Sequence, residues 1–202
     1  MRLTDMYYIG ITGGVGSGKS SVLAYLEEKY ECVVVRSDDL AAELTRHGQR
    51  LWQVYVDLFG PEVIGPDGEI DRKKVSSLAF GNKEKMDQLN ERTHPVVREE
   101  IAKLADEAKR EGRAFFVLES AVLIEEKYNE ICDELWYVYA DEKSRRRRLS
   151  EERGYSEERI TRMMKSQLPD EKFREMCDFT LDNSGDFEAT KKQIDDHMIQ
   201  IM

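Results

Sequence analysis

Cysteine is scarce in this chain, and the three present, Cys32, Cys132 and Cys177, stand far apart with no CxxC pair. No cysteine–histidine cluster exists either, which argues against a zinc site or a disulfide framework. The three read as small buried hydrophobes in a reducing compartment. Histidine is as sparse, and neither His47 nor His197 has a partner nearby in sequence. No apolar run approaches the ~20 residues of a membrane span. The opening MRLTDMYYIGITGG lacks the apolar core of a signal peptide. Net positive charge is missing as well: 31 Lys and Arg against 41 Asp and Glu leave a formal charge of −10. That balance opposes nucleic acid or an anionic membrane as the main partner. The expectation is a cytoplasmic protein, a monomer or weak homo-oligomer, whose partners are small molecules.

A length of 202 residues allows one domain, or one core with small appendages. Met6–Thr12 is short, apolar and ended by glycines, as a buried strand is. A helix is predicted from about Lys19 to Lys29, then a strand at Cys32–Val35 and a polar helical stretch from near Asp38. Gln49–Phe59 is amphipathic, and glycines and prolines break the chain after it. Asp71 is placed to cap a helix that starts DRKK, and another helix covers about Lys83–Arg92. Pro95 is read as opening a separate long helix that reaches about Glu111. Strands at Ala114–Glu119, Glu134–Tyr139 and Phe179–Leu181 alternate with two charged helices in Glu142–Gln167 and a final one at Phe187–Met202. This alternation predicts an α/β fold, a five-stranded parallel sheet flanked by helices.

Residues 13–20 read GGVGSGKS, which fits G-x-x-x-x-G-K-[ST], and the motif lies between a predicted strand and a predicted helix. Glycines at this spacing let backbone N–H groups turn inward around phosphate oxygens. The segment Gly13, Gly14, Val15, Gly16, Ser17, Gly18, Lys19, Ser20 and Ser21 is therefore the candidate ATP site. Lys19 supplies a charge to the β- and γ-phosphates, Ser20 a hydroxyl to Mg²⁺, and the helix N-terminus a favourable dipole. On a compact chain, this loop suggests a small-molecule kinase with a P-loop kinase fold. Such an enzyme also needs an acid that positions the acceptor, cations around the transferred group and a cover against water.

Asp38 lies just past the second strand, at the end where ligands gather in open parallel sheets, on a strand expected to neighbour the P-loop strand. It reads as the acid that positions the acceptor; the alternative is a capping role shared with Asp39. Arg36, two residues back along an extended segment, is expected to project to the same side as Asp38. The Arg145–Arg148 run reads either as a solvated helix face or as a lid over ATP. At most one or two of its four arginines can face a nucleotide. His94 reads either as fixing the junction before Pro95 or as an acceptor-binding group.

Taken in order, IGITGGVGSGKS, RSDDLA, GEIDRKKVSSLAF, His94-Pro95, VLIE at 122–125, QLPDEK at 167–172, Asp178 and DNSG resemble the dephospho-CoA kinase family over nearly the whole chain. The resemblance implies transfer of the ATP γ-phosphate, with Mg²⁺, to the ribose 3′-hydroxyl of dephospho-CoA. It implies Lys19 and Asp38 as catalytic residues and Arg148, Arg153 and Asn183 as further ATP contacts. Asp38, Arg72, Phe80 and His94 would bind the acceptor. It also implies a core of residues 1–40, 93–140 and 178–202, a helical insert at 41–92 and a lid at 141–177. Arg36 stands where the family usually has an acid, and Ala121 where it usually has proline. Two other readings share the P-loop: a kinase for a nucleoside or nucleoside monophosphate, and a nucleotide sensor without turnover.

Overall fold

The computed structural model describes residues 6–79, 81–121, 123 and 130–202. By contacts the chain divides into two compact units, residues 1–34 with 111–202, and residues 35–110.

The first unit holds most of the sheet. Its strands are β1 (Tyr7–Thr12), β3 (Phe115–Glu119), β4 (Glu134–Tyr139) and β5 (Phe179–Asp182). Strand β2 (Val33–Arg36) starts in this unit and runs into the next. The five described strands are ordered β2-β3-β1-β4-β5. Pairing is parallel, with Ile9 opposite both Val117 and Glu134, and Trp136 opposite Phe179. The central strands are apolar at nearly every position because both faces are covered. Ile9, Ile11, Val117, Trp136 and Val138 are buried with Val22, Leu23 and Leu26 of α1 (Lys19–Tyr30) and Ile194 and Met198 of α9 (Phe187–Ile201). Gly10 sits where β1 is most crowded: a Cβ there would lie 2.7 Å from Leu135 Cδ2.

The strand order corrects one expectation. The neighbour of β1 on that side is β3, and β2 lies one strand further out. The fold type suggests β2 beside β1, but β3 takes that place, paired with β1 from Tyr7–Phe115 to Ile11–Glu119.

The two helices expected in Glu142–Gln167 are α6 (Glu142–Glu151) and α7 (Glu157–Lys165), and a third that was not expected, α8 (Asp170–Met176), follows before β5. Pro169 is the N-cap of α8, which a proline fits because the first helical N–H groups have no intrahelical partner.

The second unit contains α2 (Ser37–Leu44), α3 (Trp52–Phe59), α4 (Arg72–Ala79) and α5 (Lys83–Arg110). Helices α2, α3 and α4 each pack on α5, and α3, α4 and α5 enclose a small core of Phe59, Val63, Val75, Ala79 and Leu89. Helix α5 is continuous through Pro95, where two helices were expected, so the insert boundary read at residue 92 falls inside it. Its buried residues are Leu89, Thr93, Val97, Ile101, Ala105 and Ala108. That stripe keeps i, i+4 spacing straight across the proline, and its burial outweighs the one lost backbone bond.

No helix among the described residues is long and apolar enough to cross a membrane. The three cysteines are unpaired thiols. Burial pushes those of Cys32 and Cys132 up to about 12 and that of Cys177 up to about 11.

Candidate active site

The GGVGSGKS segment forms the loop between the buried end of β1 and the start of α1. Gly18 is the N-cap of α1 in the left-handed region, φ 89°, where a Cβ would also collide with the Asn183 amide. No side chain caps this helix end, which leaves it the character of an anion site. Lys19 Nζ donates to the Gly13 carbonyl at 2.7 Å and lies 3.7 Å from Glu119 Oε1. Glu119 reaches that place because β3 is the strand beside β1, in register Ile11 to Glu119. No sequence motif marks Glu119, because its nearness to Lys19 depends on the strand order.

The carbonyl side of the loop is held by cations and an amide. Arg145 Nε donates to Val15 O at 2.9 Å, and Arg148 Nη1 to Ser17 O at 3.1 Å. Asn183 Nδ2 donates to the same Ser17 oxygen at 2.7 Å, and Arg148 Nη2 donates to Asn183 O at 2.6 Å. Thr190 in α9 donates to Asn183 Oδ1 at 2.9 Å, so this buried amide is committed on both ends. Ser17 Oγ, by contrast, is buried with no hydrogen-bond partner among the described residues.

The start of α6 fixes where its arginines point. Asp141 caps it by accepting from Ser144 N at 2.8 Å, a bond that holds its carboxyl below the usual range. The backbone N–H of Asp141 donates to Ser184 Oγ, and Ser144 Oγ donates to Ser184 O, tying α6 to the loop after β5. Arg145 and Arg148, three apart, share the face toward the P-loop. Arg146 turns away to Glu142 and Glu157 at 2.7 and 2.8 Å. Arg147 and Arg153 are exposed. The structure therefore brings Arg148 and Asn183 to the outer side of the loop and leaves Arg153 in solvent. The i, i+3 spacing of Arg145 and Arg148 was the available signal for this pair. Gln167 entered the sequence reading only as the first residue of QLPDEK, with no role, and nothing in the sequence singled out Thr190.

In the second unit, Asp38 and Asp39 occupy the first turn of α2, and both are exposed. Strand β2 passes into α2 with no loop between them, Arg36 being the extended N-cap. The extended spacing assumed between Arg36 and Asp38 thus ends at Ser37. Arg72 opens α4 and is exposed, while Asp71 Oδ1 accepts from Lys73 N at 2.9 Å and Lys74 N at 3.2 Å. His94 is half-buried in α5 and lines a depression with Pro95, Arg98, Glu99 and Ala102. Phe80, the VLIE residues Val122, Ile124 and Glu125, and the residues up to 129 lie outside the described set.

A parallel α/β sheet with a glycine-rich phosphate loop leading from its first strand into a helix defines a P-loop kinase. The model of the family described as dephospho-CoA kinase matches residues 7–189. A dephospho-CoA kinase of Carboxydothermus hydrogenoformans is 37% identical over 186 residues, covering 92% of this chain and 90% of that protein. Among solved structures, TT1252 from Thermus thermophilus superposes with a TM-score of 0.82 at 28% identity, covering 98% of both chains. A dephospho-CoA kinase from Campylobacter jejuni shares the fold, at a TM-score of 0.64 and 19% identity over 97% of both chains. The chain belongs to the dephospho-CoA kinase family, ATP-dependent phosphotransferases of coenzyme A biosynthesis.

Proposed function

We propose that the loop N–H groups and Lys19 hold the ATP phosphates while Asp38 orients the ribose 3′-hydroxyl of dephospho-CoA. The hydroxyl oxygen bonds to the γ-phosphorus, the bond from that phosphorus to the β,γ-bridging oxygen breaks, and ADP leaves with the electron pair. The hydroxyl proton passes to Asp38 or to solvent. Arg72, Phe80 and His94 bind the acceptor, and Arg153 joins Arg148 in closing over ATP. Asn183 holds the loop through one N–H on Ser17 O, and its second N–H contacts ATP.

The exposed Ser20 hydroxyl at the start of α1 and the Glu119 carboxylate beside Lys19 are oxygen donors of the kind a hard dication takes. Among the described residues no three His, Cys, Asp or Glu converge on one point. Mg²⁺ keeps few protein ligands and shares its shell with phosphates and water, so these two oxygen donors would suffice to hold it beside ATP. When bound, the ion neutralises charge between the β- and γ-phosphates. Unpaired thiols fit a reducing cytoplasm as the place of work.

The observation that carries this reading is the loop itself: its carbonyl side is braced by Arg145, Arg148 and Asn183, and Lys19 is fixed at its mouth. An ADP-coupled assay against dephospho-CoA, adenosine, uridine and AMP tests it. Turnover is expected with dephospho-CoA alone, and Asp38→Asn should lower kcat far more than Asp39→Asn. Turnover with AMP or a nucleoside instead would reassign the acceptor, and none with any substrate would favour a sensor.

A further inference from the structure

Both backbone polar groups of one residue in the phosphate loop, Val15, are held by side chains from the α6–α8 segment. The Val15 N–H donates to Gln167 Oε1 at 3.0 Å, and the Val15 carbonyl accepts from Arg145 Nε at 2.9 Å. Arg145 Nη2 closes the triangle by donating to the same Gln167 oxygen at 2.7 Å. Two donors converge on that oxygen, which fixes the orientation of the Gln167 amide. Arg145 is itself oriented: its Nη1 lies 3.7 Å from Asp170 Oδ1, which accepts from the Tyr137 hydroxyl at 2.6 Å. The guanidinium lies flat on Gly14, where a Cβ would come within 2.5 Å of Nη2. Arg145 is buried, Gln167 half-buried, and each meets the loop from a different element: α6, and the turn between α7 and α8.

We propose that Arg145 and Gln167 are positioning residues that clamp the Val15 backbone at its N–H and its carbonyl, setting the loop for phosphoryl transfer and coupling it to α6–α8. The inference rests on the reading of this loop as the ATP phosphate site. The clamp engages the loop at Val15 alone and bonds to neither Lys19 nor the other loop N–H groups nor the first turn of α1, which hold the phosphates of ADP in that reading. Its loss should therefore act on turnover and spare ADP binding. A misplacement of the reacting groups by about 1 Å costs on the order of a hundredfold in rate.

Gln167→Ala is expected to lower kcat by roughly ten- to a hundredfold with the ADP dissociation constant within about twofold of wild type. Gln167→Glu offers the same two N–H groups a charge-assisted acceptor and should stay within about threefold of wild-type kcat. If Gln167 met ATP directly, the carboxylate would be repelled and Glu would be the worse substitution. Arg145→Lys cannot reach three partners from one ammonium, so it should match Gln167→Ala, and the double variant should be no slower than either. Amide hydrogen exchange at Val15 gives a readout independent of any acceptor, and should speed up by about tenfold or more in both single variants. The clamp is overturned by Gln167→Ala turnover within twofold of wild type, by Glu being worse than Ala, by ADP affinity falling in step with kcat, or by unchanged Val15 exchange. A wild-type protein inactive on dephospho-CoA would strike the acceptor assignment alone, and Val15 exchange would still decide the clamp.

Discussion

At the residue scale, four consecutive arginines share one residue type and have three different fates. Arg145 and Arg148 lock onto loop carbonyls, Arg146 pairs with two glutamates and Arg147 faces solvent. Helix geometry alone separates them, since residues three apart share a face and adjacent ones do not. Arg148 bonds Ser17 O and Asn183 O together, so its loss leaves two partly buried acceptors short of a charged donor. Arg148→Ala should then cost about 1.5–3 kcal/mol, for a hydrogen-bonding charged group. In a chain of this size that lowers the melting temperature by about 3–12 °C, along with activity. Arg153→Ala, in solvent, should leave melting unchanged and act only if the residue closes over ATP. Thermal melts of the two variants side by side decide this; equal melting temperatures would show that the Arg148 contacts carry no stability.

At the scale of elements, α5 shows tertiary packing overriding a local rule. Pro95 marks a helix boundary by sequence, because it lacks an N–H and crowds the preceding turn. The apolar stripe from Leu89 to Ala108 ignores it, and Thr93 adds a bond from its hydroxyl to Leu89 O at 2.8 Å. The side chains that pack against α5 come from α2, α3 and α4, which no local reading of residues 83–110 contains. Ile101 is fully buried in the middle of the stripe, and Ile101→Ala should destabilise by about 2–5 kcal/mol. Pro95→Ala should be neutral or stabilising, since the regained backbone bond offsets the added freedom of the unfolded chain. Urea unfolding of both variants provides the check, and a Pro95→Ala protein weaker than Ile101→Ala would mean that the proline, not the stripe, shapes the helix.

At the scale of the whole molecule, stability and nucleotide binding are linked, because a ligand that binds only the folded chain stabilises it. ADP at a hundred times its dissociation constant should contribute about 2.7 kcal/mol. That is a rise in melting temperature of about 5–11 °C. At the same ADP concentration Lys19→Ala should lose most of the rise while melting near wild type without ligand, since its bonds to Gly13 O and Glu119 sit at the loop's mouth outside the core. Calorimetry with and without ADP measures both, and a wild-type protein unmoved by millimolar ADP would remove the nucleotide from this site.

The sequence by itself determined the alternation of strands and helices, the position of the phosphate loop and the family. These rest on local chemistry: apolar runs for buried strands, glycines where the backbone must turn toward phosphate, and a lysine and serine at fixed spacing. Only the tertiary structure decided that β3 rather than β2 lies beside β1, which brings Glu119 to Lys19. It alone showed that α5 runs through its proline, and that Arg145, Gln167, Arg148, Asn183 and Thr190 brace the loop. Val15 and Gln167 are 152 residues apart. Each lies in a segment with its own motif, GGVGSGKS and QLPDEK, but neither motif says that the two meet, because that depends on where the intervening strands and helices deliver the two residues.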